Sequence, residues 1–312
     1  NDSGYIGQSG YVTPTNLTTQ LQIGTTYGMG SSRATDYVYA GAFLRRHAAL
    51  GPNGMGAIYE INPDTGAVVR TITIPSAGTV PSGRDLPTYS NQQSRDINTF
   101  AQVGKSSLGD VDVIGDGKTL FTTNLNTRQL VRVDDIDTAT PVVTQYSLPA
   151  SVTCPGGDND RRLMGLGNRK VSGVQKVYVG VTCTGETRAV KTTSDLVANI
   201  VEFDFATNAW GSTILSVPLN YSKGCANLNP GYPNLGCAWN TWSDNYNDAT
   251  HIQAGTEWFI SRPQPLVSDI DFDDTGAMVI GIADRGGWQW GDQNLPPTAS
   301  SGNSGWPFYF PN

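Results

Sequence analysis

The segment Asp110–Asn124 lies over Asp269–Ala283 without a gap, and this repeat narrows the possible folds more than any other feature of the chain. Asp110 meets Asp269, Val111 meets Ile270, Asp112 meets Asp271, Gly117 meets Gly276, Leu120 meets Val279 and Phe121 meets Ile280. Each copy reads as a short strand, a tight turn at Asp116-Gly117 or Thr275-Gly276, and a second strand. Looser copies are YGMGSSRATDYVYAGAF from Tyr27 and LMGLGNRKVSGVQKVYVGV from Leu163. A second unit follows the first: IYEINPDTGAVVRTITIP from Ile58, LVRVDDIDTATPVVTQYSLP from Leu130, and IVEFDFATNAWGSTILSVPL from Ile200. Each of these alternates apolar and polar residues, turns at an Asp/Asn/Thr/Gly cluster and returns as a β-rich strand. Two hairpins and a connection, repeated, is the pattern of a four-stranded β-propeller blade.

The chain is therefore expected to be all-β, a single β-propeller domain over residues 1–312, built of four-stranded antiparallel blades with long loop insertions. Blades are placed near 21–75, 107–149 and 162–219, with a fourth from 265 onward. The insertions, 76–106 and 220–264, are polar and rich in Gly, Asn and Pro. Loops of that length in a compact domain more often carry function than not. Only the first hairpin of the fourth blade is legible. A propeller closes to hide its sheet edges, so it reads as incomplete within these residues or as holding degenerate blades.

Four cysteines, Cys154, Cys183, Cys225 and Cys237, include no CxxC pair, and there are two histidines, which argues against a zinc site. An even count in Gly/Asn-rich loops suits two disulfides and an oxidising compartment. Of three connectivities, Cys154–Cys183 with Cys225–Cys237 is favoured because each bridge then ties off a local loop. The net charge of −7 comes with no basic stripe, which argues against a nucleic-acid partner. No apolar window is long enough for a membrane-spanning helix. Asn1-Asp2-Ser3, Asn16-Leu17-Thr18 and Asn220-Tyr221-Ser222 fit the N-glycosylation pattern, which is common by chance and is usually left empty in a bacterial protein.

Two groups of residues stand out as sites. Asp269, Asp271, Asp273 and Asp274 form the run DIDFDD, and Asp110 and Asp112 repeat its first pair. Residues two apart on a strand share a face, and calcium takes clustered carboxylate oxygens. The same aspartates can instead accept hydrogen bonds from turn N–H groups or from Arg128 and Arg285. The second group is aromatic: Trp239 and Trp242 in AWNTWSDNYND, and Trp288 and Trp290 in GGWQWGDQ. Flanked by Asn, Asp and Gln, such rings suit a sugar or protein interface; the alternative is that they pin long loops over the blade ends. His47 and His251 have no nucleophile context such as G-x-S-x-G. Arg45 and Arg46 read most simply as a solvated turn or as carboxylate partners.

The windows Val103–Asp134, Lys176–Thr187 and Gln264–Gly287 resemble the propeller-like region of large bacterial cell-surface proteins that carry serine-aspartate-repeat type B-like or other immunoglobulin-like repeats. The resemblance covers roughly residues 60–300. It brings no catalytic motif and implies a secreted or surface-anchored adhesin or scaffold.

The expected function is a non-catalytic extracellular or cell-surface binding module, engaging a surface glycan or protein through Trp239, Trp242, Trp288 and Trp290, with Ca2+ as a possible cofactor at the Asp269 run. The rivals are a self-assembling subunit of a surface layer or filament, with copies of itself as partners, and a calcium-dependent propeller hydrolase or lactonase.

Overall fold

The structure is a computed structural model that describes residues 16–88, 93–225, 237–246, 251–254, 257–260, 262–290, 295–297 and 307–309. A one-turn helix, α1 (Gln20–Ile23), precedes three antiparallel four-stranded meanders. The first blade is β1 (Thr26–Ser31), β2 (Val38–Ala42), β3 (Ala57–Ile61) and β4 (Val68–Thr73). The second is β5 (Leu108–Val113), β6 (Leu120–Asn124), β7 (Gln129–Asp134) and β8 (Val142–Ser147). The third is β9 (Arg161–Val171), β10 (Val174–Cys183), β11 (Val197–Asp204) and β12 (Ala209–Pro218). A small sheet pairs β13 (His251–Ala254) with β14 (Glu257–Ile260). The fourth blade is the hairpin β15 (Pro265–Phe272) and β16 (Met278–Asp284), followed by the short helix α2 (Gly286–Trp290). A last strand, β17 (Pro307–Tyr309), runs parallel to β14.

The fold is thus an all-β propeller, and its burial follows from how blades stack. A strand in mid-blade is covered on both faces by neighbouring blades, so it reads as a continuous run rather than an alternation. β3 (AIYEI) and β6 (LFTTN) are buried throughout. Of the rim strands, β12 is mostly exposed and β8 alternates between exposed and half-buried residues. The core is accordingly divided among the interfaces. Ile58 and Ile72 pack with Leu108 and Val131 between blades one and two; Phe121 and Leu130 pack with Val177 and Phe203 between two and three; Tyr178 and Ile200 pack with Val267 and Ile270 between three and four.

The ring closes between the fourth blade and the first. Tyr27 Oη donates to the Ser268 carbonyl at 3.1 Å, and Trp288 sets its ring edge-on to Tyr27 and Phe43. Arg46 is buried here, not solvated as its place in LRRH suggested. Its guanidinium donates to the carbonyls of Arg95, Gln289, Trp290 and Leu295, tying the first insertion and α2 to blade one. A planar fork of donors suits several converging carbonyls.

Both disulfides are those expected, Cys154–Cys183 and Cys225–Cys237, each closing a local loop. Among the described residues no helix is long and apolar enough to cross a membrane.

Candidate functional site: an acidic axial pocket

The innermost strand of every blade carries a bulge at the same point. The pairing register slips between Thr26 and Met29 on β1, between Leu108 and Val111 on β5, opposite Val179/Val181 on β9, and between Val267 and Asp269 on β15. Lined up on the bulge, Gly28-Met29-Gly30, Asp110-Val111-Asp112, Gly165-Leu166-Gly167 and Asp269-Ile270-Asp271 occupy equivalent positions. Blades one and three present Gly-x-Gly, and blades two and four present Asp-x-Asp.

The glycines let neighbouring inner strands touch backbone to backbone. A Cβ on Gly28 would lie 2.2 Å from the Val111 nitrogen, and one on Gly165 would lie 2.5 Å from the Asp269 nitrogen. The aspartates point into the space this leaves on the axis. Asp110, Asp112, Asp269 and Asp271 line a cavity of about 430 Å³ together with Tyr27, Met29, Asn168, Ser268 and Ile270. All four inner strands contribute to it.

The carboxylates are held in place by local hydrogen bonds. Asp110 accepts from its neighbour Val111 N at 2.8 Å and from Leu166 N, across the blade interface, at 3.1 Å. Asp269 repeats the first of these bonds with Ile270 N at 2.8 Å. Asp112 accepts from Asn168 Nδ2 at 3.2 Å. Burial, then the charges of Asp112 and Asp269, push the Asp110 carboxyl up to about 7. Burial, with Asp269 and Asp271 nearby, pushes Asp112 up to about 6. Asn168 and the backbone donors offset only part of this. No cationic side chain lines the cavity among the described residues, so burial and like charges raise these carboxyls, and a cation placed there would favour their ionised form.

The DIDFDD run does not converge as a calcium loop. Asp273 folds back on its own turn, its Oδ1 accepting from Thr275 N, Thr275 Oγ1 and Ala277 N. Asp274 is exposed in the same turn. Asp269 and Asp271 lie on β15 and line the axial cavity, whereas Asp273 and Asp274 fall past the end of that strand, in the turn. Among the described residues no three His, Cys, Asp or Glu side chains come together as a metal ligand set.

The four tryptophans correct a second expectation: three are buried and the fourth is half-buried in a ring cluster. Trp242 is fully buried, donates from Nε1 to the Pro265 carbonyl at 2.8 Å, and stacks against the Arg285 guanidinium. Trp239 lies in the core between blades three and four under the Lys223 ammonium. Trp290 packs edge-on against Phe100 from the first insertion and tilted against Tyr246 from the second. Trp288 joins the closure cluster. Their rings pin the insertions to the blades, so these four form no sugar-stacking platform.

Sequence reasoning missed the charged anchor under those insertions. Arg285 is fully buried and donates to the carbonyls of Val103, Ala101 and Ser243, to Gln264 Oε1 and to Asp244 Oδ1. Lys105 bridges Glu186 and Asp244, and Arg162 completes the set on Glu186. His47 lies in the neighbouring closure, its ring nitrogens bonded to Ser94 Oγ and the Trp290 carbonyl. Burial and then Arg46 lower its pKa to about 3, which keeps the imidazole neutral.

No known protein family matches the chain. Colossin-D of Dictyostelium discoideum is 26% identical over 284 residues, 87% of this chain and 26% of that protein. Colossin-A of the same organism is 26% identical over 90% of this chain and 2% of its own length, and Colossin-C 23% identical over 87% and 24%. The chain thus spans about a quarter of two of these relatives and a small fraction of the third. These likenesses overturn the expected one to bacterial surface proteins: the similar curated proteins are Colossins from Dictyostelium. Among solved structures, the β-propeller domain of Myceliophteria thermophila Cps50 (Swd1) covers 84% of this chain and 70% of its own at 13% identity and a TM-score of 0.34. A likeness of that size carries no argument, and the propeller assignment rests on the sheets themselves.

Proposed function

We propose that this chain is a non-catalytic extracellular binding module whose axial pocket receives a basic side chain of a protein partner. The observation that carries the reading is the pairing of Asp110 and Asp112 with Asp269 and Asp271 around one cavity, with two of the carboxyls driven well above their ordinary 3.8. A lysine or arginine head would relieve that repulsion and find hydrogen-bond acceptors on two blades. The cavity, about 430 Å³, is ample for one such group. Met29 stands 65% exposed at the rim and offers an adaptable apolar edge to the approaching stem. A protein partner is favoured over a glycan because the rings of Trp239, Trp242, Trp288 and Trp290 are committed to packing. The two disulfides support an oxidising, extracellular setting. Adhesion to a surface through such a contact is the task this suggests.

Calorimetric titration with a short arginine-rich peptide, with N-ethylguanidinium and with Ca2+ tests the reading. Wild-type protein should bind the peptide with an affinity that falls as salt is raised. The Asp112→Asn, Asp269→Asn double variant should bind roughly tenfold or more weakly, about 1.4 kcal/mol, while remaining folded. Equal affinity in the double variant, or heat from Ca2+ alone, would overturn it.

A second reading is favoured by one observation. A carboxyl near pKa 7 is suited to general acid–base work at neutral pH, so a propeller hydrolase centred on Asp110 is the rival. A broad ester and lactone panel, with and without chelator, addresses it: turnover that disappears in Asp110→Asn would favour catalysis over binding.

A further inference from the structure

We infer that Asn220 carries an N-linked glycan, placed on the rim of the third blade and away from the axial pocket. Asn220-Tyr221-Ser222 satisfies the acceptor pattern, and the fold presents it. Leu219, the residue before, is buried and donates its N–H to the Leu196 carbonyl at 2.9 Å, which anchors the end of β12. From Asn220 the chain leaves the sheet, and Asn220, Tyr221 and Ser222 are all exposed. The stretch is then held by an isolated bridge between Ser222 and Ala238 and by Lys223 N donating to the Cys237 carbonyl at 2.9 Å. The acceptor is therefore suspended between a rim strand and the Cys225–Cys237 disulfide. The Asn220 amide makes no hydrogen bond among the described residues, so an added sugar displaces nothing.

The setting agrees with the chemistry. The two disulfides suit a secretory route, and the curated relatives come from a eukaryote. In the transfer, the Asn220 Nδ2 attacks the anomeric carbon of a polyprenyl-diphosphate oligosaccharide. The N–C bond forms as the bond from that carbon to the diphosphate oxygen breaks. The polyprenyl diphosphate leaves, and the amide gives up one proton to the transferase. The product meets a need of the fold. β12 is a sheet edge that exposes its own Ile214 and Leu215, and an edge of this kind invites pairing with another chain unless something bulky or charged blunts it. A second acceptor, Asn16-Leu17-Thr18, has Asn16 exposed and Thr18 half-buried, and lies against the β3–β4 turn of blade one, where the Leu17 carbonyl covers Gly66. Asn1-Asp2-Ser3 lies outside the described residues.

Peptide mapping of the protein from the cells that secrete it tests the inference. After peptide-N-glycosidase digestion in heavy-oxygen water, Asn220 should be recovered as labelled aspartate. Asn220→Gln and Ser222→Ala, expressed in the same cells, should each lose one glycan from the intact mass. Unlabelled Asn220 in the secreted wild-type protein would overturn the proposal. So would an intact mass for Asn220→Gln that retains every glycan of the wild type.

Discussion

Tyr27 Oη donates to the backbone carbonyl of Ser268 at 3.1 Å, joining the innermost strand of the first blade to that of the last across 241 positions of sequence. The two residues occupy the equivalent place within the bulge on their strands. The bond is therefore a closure device as well as part of the pocket wall. Burial first, with Asp110 and Asp269 adding to it against the Ser268 bond, raises the phenol to about 12, so it stays a donor at any physiological pH. Tyr27→Phe keeps the ring against Phe43 and Trp288 and deletes only the donor. It should lower stability by about 1 kcal/mol, read as a modest fall in the denaturant midpoint with an unchanged slope. A change in slope would mean that the ring had opened instead.

The axial carboxylates make stability depend on pH in an unusual direction. The Asp112 carboxyl stands at about 6 in the fold against an ordinary 3.8. The folded protein therefore binds its proton more tightly than the unfolded chain does. Its favourable contribution is full below about pH 3.8 and is lost as pH rises through about 6. Asp112 accepts only from Asn168 among the described residues, so Asp112→Asn keeps an acceptor and removes a charge. The variant should melt higher than wild type at pH 7.5, by on the order of 1–2 kcal/mol after allowing for partial exposure. The gap should narrow as pH falls through about 6 and close only below about pH 3.8. Melting curves across this range check this. Asp110→Asn is a poorer probe, because both of its oxygens accept from backbone N–H groups and an amide can replace only one of them.

Gly28 and Gly165 should be intolerant of even one methyl group. Their virtual Cβ atoms fall 2.2 Å and 2.5 Å from backbone nitrogens of the next blade, closer than any packing adjustment can absorb without moving a whole strand. Gly28→Ala and Gly165→Ala are expected to cost several kcal/mol, at least the ~1–3 kcal/mol usual for overpacking. Gly173→Ala is the control. It lies at a turn where an added Cβ meets nothing within 4 Å, and only its positive φ of 85° resists the change. Expression level and midpoint across the three variants would rank them; equal losses would contradict the interlock.

Much of this was legible in the repeat. The gap-free match of Asp110–Asn124 with Asp269–Ala283 reflects two bulged hairpins that do the same job, β5–β6 and β15–β16. Their looser relatives already showed Gly-x-Gly where these show Asp-x-Asp. What sequence could not show was that the two aspartate pairs face each other across an axis, because each copy read alone looks like one half of a metal loop. The tryptophans misled for a related reason. Loops without periodicity give no sign of which face is inward, and an aromatic between Asn and Asp looks the same whether it greets a partner or closes a gap. β13, β14 and α2 were missed because short elements among Gly, Asn and Trp have too few residues to set up a period. Arg46 and Arg285 were missed because a buried arginine is chosen by converging carbonyls from distant segments, which no local pattern records.

Trp242 tests whether these rings serve the fold or a partner. Its side chain is fully buried beneath the second insertion, against Met164 and Leu266, with its Nε1–H on the Pro265 carbonyl. The face turned to Arg285 shields a guanidinium that has no access to water. Trp242→Ala would remove a buried ring, leave a cavity and expose that charge. The loss should be about 3–5 kcal/mol, with any drop in partner binding tracking the folded fraction. Trp242→Phe fills most of the space but deletes the donor, which leaves the Pro265 carbonyl short of a partner; a loss of roughly 1–2 kcal/mol is expected. The discriminating measurement is a pair of melts alongside titration of the arginine-rich peptide at a temperature where both variants are folded. Affinity should be the same as wild type for Trp242→Phe, because the ring lies outside the axial pocket. A stable Trp242→Phe that binds markedly worse would return the tryptophan loops to the interface and move the site off the axis.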